Sequence, residues 1–187
     1  MALILSTLTG YISLSYEILW VRLYSFVSGS MAWAFGAMLG SYLIGLALGS
    51  LWSLRFQGSG KGSEEMRALS GFVGLANGIG FLVVPIVSWL VVWIPFTWTF
   101  PVVVLAAALL GAALPLICHF AIPPDEKAGA RLSYLYLGNI LGSGAGSLIT
   151  GFVLMDHFSL GWISVFLACL GFILVLGLDY FSGKRGR

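Results

Sequence analysis

From Tyr134 to Leu154 the chain carries no charged residue, and five further stretches of similar length are nearly as bare. About 20 consecutive apolar residues, wound as a helix, match the hydrocarbon thickness of a bilayer. Inside lipid no water can bond an exposed peptide group, so a spanning segment must be a helix or part of a closed barrel. These stretches are about twice as long as a tilted barrel strand requires, and the sequence therefore predicts an all-α fold. Six spans fit, at roughly 3–28, 31–55, 68–93, 97–121, 132–155 and 160–180.

Composition agrees. The chain is 59% hydrophobic and only 9% charged, where a soluble domain carries about 25% charged residues, and its mean hydropathy is +1.02. Its 187 residues read as one polytopic membrane domain. A net charge of +2 drawn from so few residues argues against a nucleic-acid partner. The two cysteines, Cys118 and Cys169, fall in apolar segments and read as small buried hydrophobes. The stretch from Met1 to Ile18 lacks a basic leader and a small-residue cleavage site, so it reads as the first span and not as a signal peptide.

Three joints are short: Ser28-Gly29-Ser30, Ile94-Pro95-Phe96 and Asp156-His157-Phe158-Ser159. Short joints make consecutive helices antiparallel, and three helical hairpins are expected. Two longer, polar connections run from Phe56 to Arg67 and from Ile122 to Arg131. Arg55, Lys61, Arg67, Lys127, Arg131, Lys184, Arg185 and Arg187 share the side of those connections and the C-terminus; of the nine basic residues only Arg22 lies elsewhere. The positive-inside rule then puts both termini in the cytoplasm, in what reads as a bacterial inner membrane. Trp33, Trp89, Trp93, Trp98 and Trp162 gather toward the opposite boundary, as an interfacial belt does.

In the fifth span Gly138, Gly142 and Gly146 recur every fourth residue, with Ser143 and Ser147 beside them. Each glycine costs a helix in water about 1 kcal/mol relative to alanine, whereas in lipid a bare helix face admits a close neighbour. Gly45 and Gly49 offer a second such face. Pro85 and Pro115 interrupt the third and fourth spans; each removes a backbone hydrogen bond and bends its helix.

Glu17 is the deep ionisable residue, near the middle of the first span, with Ser13, Tyr16, Trp20 and Tyr24 on or bordering its face. A carboxyl at that depth is costly unless neutral, paired or wet, and so marks a candidate site. Arg22 points well round the helix from it. Asn77 and Asn139 add amides on the third and fifth spans. Two readings follow: Glu17 ties helices together through Asn139, Asn77 or a tyrosine, or it carries protons or cations. His119 and His157 sit a bilayer apart and cannot share a metal, and Asp156 reads as a solvated turn residue. Gly58-Ser-Gly-Lys-Gly-Ser63 lacks the spacing of a phosphate loop and reads as a flexible basic loop. No nucleophile–base pair or dinucleotide fingerprint is present, so neither catalysis nor a cofactor is expected.

Three patches, Tyr16-Glu17-Ile-Leu-Trp20-Val-Arg22, Gly45-Leu-Ala-Leu-Gly49-Ser50 and Tyr136-Leu-Gly-Asn139-Ile-Leu-Gly142-Ser-Gly-Ala-Gly146, carry a resemblance. The third continues to Gly151-Phe-Val-Leu154 and Leu160-Gly161. Together they resemble the membrane domain of spermidine synthase-like integral membrane proteins. In that family a helical bundle, comparable to half of a major facilitator, precedes a cytoplasmic aminopropyltransferase-like domain. Here only Asp179 to Arg187 follows the sixth span, so the resemblance implies no synthase activity; a catalytic domain would be a separate chain. The function expected first is a non-catalytic scaffold or accessory subunit meeting other membrane subunits, or itself, through its glycine faces. The alternative is a small transporter, acting as a homo-oligomer of facilitator-like halves on a cationic metabolite such as a polyamine.

Overall fold

A computed structural model of the chain describes residues 2–56, 62–123 and 125–185. Six long helices account for most of it: α1 (Ala2–Val27), α2 (Ala32–Ser53), α3 (Gly62–Leu90), α4 (Phe100–Ala121), α5 (Ala128–Ile149) and α6 (Leu160–Arg185). Short 3-10 turns cover Leu54–Phe56 and Phe96–Thr99, and α5 runs on through a π-helical turn, Thr150–Leu154, to Met155–His157. No strand occurs among the described residues. All six helices are long and apolar enough to cross a membrane, and the chain is an integral membrane protein. The basic loop expected from Gly58 lies outside the described residues up to Lys61, as does Arg187, while Gly62 and Ser63 open α3.

The joint between α1 and α2 shows why its residues are small. Gly29 and Ser30 both take left-handed backbone angles, with φ of 64° and 63°. The Ser30 amide thereby reaches back to the Ser25 carbonyl at 2.8 Å and closes the end of α1.

Chain neighbours do not make the closest seams. These join α1 to α5, α2 to α4 and α3 to α6, with α3 also lying along α4. The expected hairpins are therefore not what organises the bundle: the tight joints only reverse direction, and bare helix faces decide who meets whom. In the α1–α5 seam the backbone of Thr7 lies on Gly142 and that of Tyr11 on Gly146, while Gly10 lies against Asn139. Both numbers rise together, so the two helices run parallel. In the α2–α4 seam Val104 backbone lies on Gly45 and Ala108 backbone on Gly49, again in parallel. In the α3–α6 seam the Asn77 amide lies flat on Gly171, and Ser164 Oγ donates to the Phe81 carbonyl at 3.1 Å, with the helices antiparallel.

Exchanging α1–α3 with α4–α6 maps the three closest seams onto one another, since α1·α5 becomes α4·α2 and α3·α6 returns to itself. Each triplet holds an odd number of helices, so α1 and α4 run in opposite directions. The bundle is thus arranged as two inverted three-helix halves, interleaved through their glycine faces.

Side-chain hydrogen bonds tie the α1–α5 seam along its length. Ser6 Oγ donates to the Leu135 carbonyl at 2.7 Å, Ser143 Oγ to the Gly10 carbonyl at 3.2 Å, and Thr150 Oγ1 to Ser15 Oγ at 2.9 Å. Interhelical bonds of this kind contribute about 0.6 kcal/mol each, so close backbone packing carries most of the association.

Toward the end where α1 meets α2 the interior is aromatic. Tyr16 stacks on Trp20 at 5.6 Å, Trp20 meets the edge of Tyr42 at 6.1 Å, and Tyr24 stacks on Phe100 at 5.0 Å. All but Phe100 are fully buried, and Tyr24 Oη bonds to Thr99 Oγ1 at 2.5 Å. Outside this layer Trp33, Trp89, Trp93, Trp98 and Trp162 are exposed, the disposition of an interfacial belt.

Candidate functional site

Beneath the aromatic layer the bundle is open. A cleft of about 410 Å³ lies between α1, α2, α4 and α5, where the two parallel seams face each other. Its lining spans residues 9–17 of α1, 42–50 of α2, 110–115 of α4 and 136–143 of α5. On every helix these positions are central or toward the end that holds Ala2. Tyr42 of the aromatic layer stands in its lining, and its rim, at Leu43 and Tyr136, is exposed.

Glu17 stands in its wall, half-buried. Among the described residues it has neither an ion-pair nor a hydrogen-bond partner; the ion pair they do contain joins Arg131 to Asp125 at 3.0 Å, in the joint before α5. Among the described residues no lysine, arginine or histidine lines the cleft. One helical turn from Glu17, Ser13 Oγ and Tyr42 Oη are bonded at 2.7 Å, and Tyr42 Oη also donates to the Ser13 carbonyl at 3.1 Å. Asn139 and Ser143 face the cleft from α5, and Ser50 from α2. The remainder of the wall is aliphatic, chiefly Leu14, Leu46, Leu110 and Leu114.

Pro115 has no N–H to return to the carbonyl four residues earlier, which here belongs to Gly111, and both residues line the cleft.

Of the five residues singled out in the sequence, the fold brings Glu17 and Asn139 to the same cleft, without a hydrogen bond between them. Tyr16 and Asn77 lie on the opposite side of α1. There Tyr16 is fully buried and its Oη donates to the Asn77 carbonyl at 3.4 Å. The Asn77 side chain is only 2% exposed; its Nδ2 donates to the Val73 carbonyl at 2.7 Å, and its Oδ1 has no partner. Arg22 is exposed and sits 4.7 Å over the Phe26 ring, outside the cleft. The packing glycines Gly45, Gly49, Gly138, Gly142 and Gly146 all lie at helix contacts within the chain.

Tyr42 is the residue that sequence reasoning passed over. Its signal was its spacing: Tyr42, Gly45 and Gly49 share one face of α2, so a residue on the packing face carries a hydroxyl. A second groove, of about 560 Å³, lies between the end of α5 and the start of α6. Leu154, Phe158, Trp162, Ile163, Val165 and Phe166 line it, and it offers no polar side chain to a ligand.

His157 Nδ1 lies 2.8 Å from the Val153 carbonyl at the far end of α5, and no group of three metal-ligating side chains occurs among the described residues. No protein-family model matches the chain, and no curated protein or solved structure does so.

Proposed function

We propose that the chain is a transporter that receives a small polar solute in the cleft between α1, α2, α4 and α5 and passes it across the membrane by alternating access. The observation that carries this reading is Glu17, a carboxyl at mid-membrane depth in the wall of a cleft, with no cation beside it among the described residues. A carboxyl kept only as a tie between helices would be bonded to one; this one faces space. The cleft has an exposed rim at Leu43 and Tyr136, and two inverted halves meeting at the site supply a way to alternate access between the two sides. Arg55, Lys127 and Arg131, gathered at the Ala2 end, support a cytoplasmic location for it.

A second reading, an accessory subunit, draws on the exposed rim at Leu43 and Tyr136, which a partner could cover. Its partner would not bind through the glycine faces, because those already hold the chain's own helices.

Thiol labelling in sealed vesicles tests transport. With Cys118 and Cys169 replaced by alanine, Ser13→Cys should react with a membrane-impermeant maleimide added from either side. Reaction from one side only would indicate a binding protein without alternating access, and reaction from neither would mean that water does not enter the cleft. Either result overturns the proposal.

A further inference from the structure

We propose that the solute of this cleft is an organic monocation, a single ammonium group on an aliphatic body, and not a polyamine or an inorganic ion. The inference rests on the transport reading and adds the chemical class of its substrate.

Among the described residues the lining carries one carboxylate, that of Glu17, and no basic side chain. Its other polar groups offer acceptor oxygens: the Ser13–Tyr42 hydroxyl pair, the Asn139 amide and the hydroxyls of Ser50, Tyr136 and Ser143. An ammonium group has three donors and no acceptor, and Glu17 with the hydroxyl pair one turn away matches that demand in charge and in hydrogen bonds. The Asn139 amide and the Ser50 and Tyr136 hydroxyls also carry donors, so it is the charge of Glu17 that selects a cation.

The count of charges sets the upper limit. A second ammonium in the same cleft would meet no second carboxylate, and an uncompensated charge out of water is strongly unfavourable. Calcium takes six to eight oxygen ligands, usually with several carboxylates among them; this lining has a single carboxylate and spreads its other side-chain oxygens over α1, α2 and α5. The walls point to the other half of the guest. Leu14, Leu43, Leu46, Leu110 and Leu114 line the cleft and suit an aliphatic body. Its volume of about 410 Å³ falls in the range of small-molecule sites.

The test is ligand-induced thermal stabilisation of the full chain in detergent, with butylamine, butanol, putrescine, spermidine and sodium chloride as probes. Butylamine should raise the unfolding temperature saturably. Butanol, which shares its body and lacks its charge, should not, and putrescine and spermidine should bind at least tenfold more weakly. Glu17→Gln should lose at least tenfold in butylamine affinity, whereas Arg22→Gln should retain it. Tighter binding of spermidine than of butylamine, equal binding of butanol, or saturation by sodium alone would overturn the assignment. These comparisons use the unmodified chain, so they decide the matter even if Glu17→Gln fails to fold. No binding by any probe, with Ser13→Cys reactive from both sides, sinks the monocation and leaves transport standing. An unreactive Ser13→Cys sinks transport whatever binds.

Discussion

The carbonyl oxygen of Thr7 occupies the space that any side chain at position 142 would need. The contact is backbone on backbone, so no rotamer change relieves it. Gly142→Leu should therefore force α1 and α5 apart and cost about 3 kcal/mol or more, at the upper end of overpacking effects. Gly144, two residues along the same helix, has open space within 4 Å of where an alanine methyl would sit, and Gly144→Ala should change stability by less than about 1 kcal/mol. Thermal unfolding followed by size-exclusion chromatography separates the two; equal losses would mean that the seam is not the source of stability.

Asn77 and Gly171 form a second obligate pair, because the amide of one lies where the methyl group of an alanine at the other would go. Gly171→Ala should be destabilising by itself and largely harmless beside Asn77→Ala. The expected coupling is about 1–3 kcal/mol, read from a double-mutant cycle of unfolding temperatures. Additive losses would show that α6 is held away from Asn77 by other contacts.

Tyr42→Phe removes the hydroxyl bonded to Ser13 and leaves the ring against Trp20. The cost should be near 0.6 kcal/mol and no more than about 2. Ser13→Ala should cost less, because Tyr42 Oη keeps its bond to the Ser13 carbonyl, and the double variant should cost little beyond Tyr42→Phe, which removes both bonds. Butylamine affinity should fall in all three, which chemical-shift or thermal-shift titration would detect.

Arg22 is five residues from Glu17 but stands over Phe26. Arg22→Gln should accordingly leave both the unfolding temperature and the Ser13→Cys labelling pattern unchanged. A loss of labelling would indicate an ion pair between Arg22 and Glu17 in some state of the protein.

The spans were legible because a bilayer demands a length and an apolar composition that sequence displays directly. Their partners were not. Gly142 announces a close approach, yet a bare face accepts any helix, and nothing in the sequence distinguishes α1 from α6 as its occupant. Short joints pointed to hairpins because they govern direction; the seams are set by faces several spans apart. At the site, Glu17 stood out as a lone carboxyl in an apolar run. Tyr42 did not, since one tyrosine among leucines and glycines looks like any amphipathic side chain. Asn77 and Asn139 looked alike in sequence and proved different in place, because packing turns Asn77 of α3 onto Gly171 of α6 and Asn139 of α5 toward the cleft.

The crossed pairing of α1 with α5 and of α2 with α4 also sets a schedule for the chain's making. Neither triplet can complete its own seams, so α1 waits in the bilayer until four more helices have been synthesised and inserted. During that interval Ser6, Thr7, Gly10 and Glu17 face lipid or whatever shields them, and the parallel seam that hides the first three closes only when Gly138, Gly142 and Gly146 arrive. An interruption after α4 would leave a four-helix intermediate whose least apolar helix lacks its closest partner, the species on which membrane quality control would be expected to act.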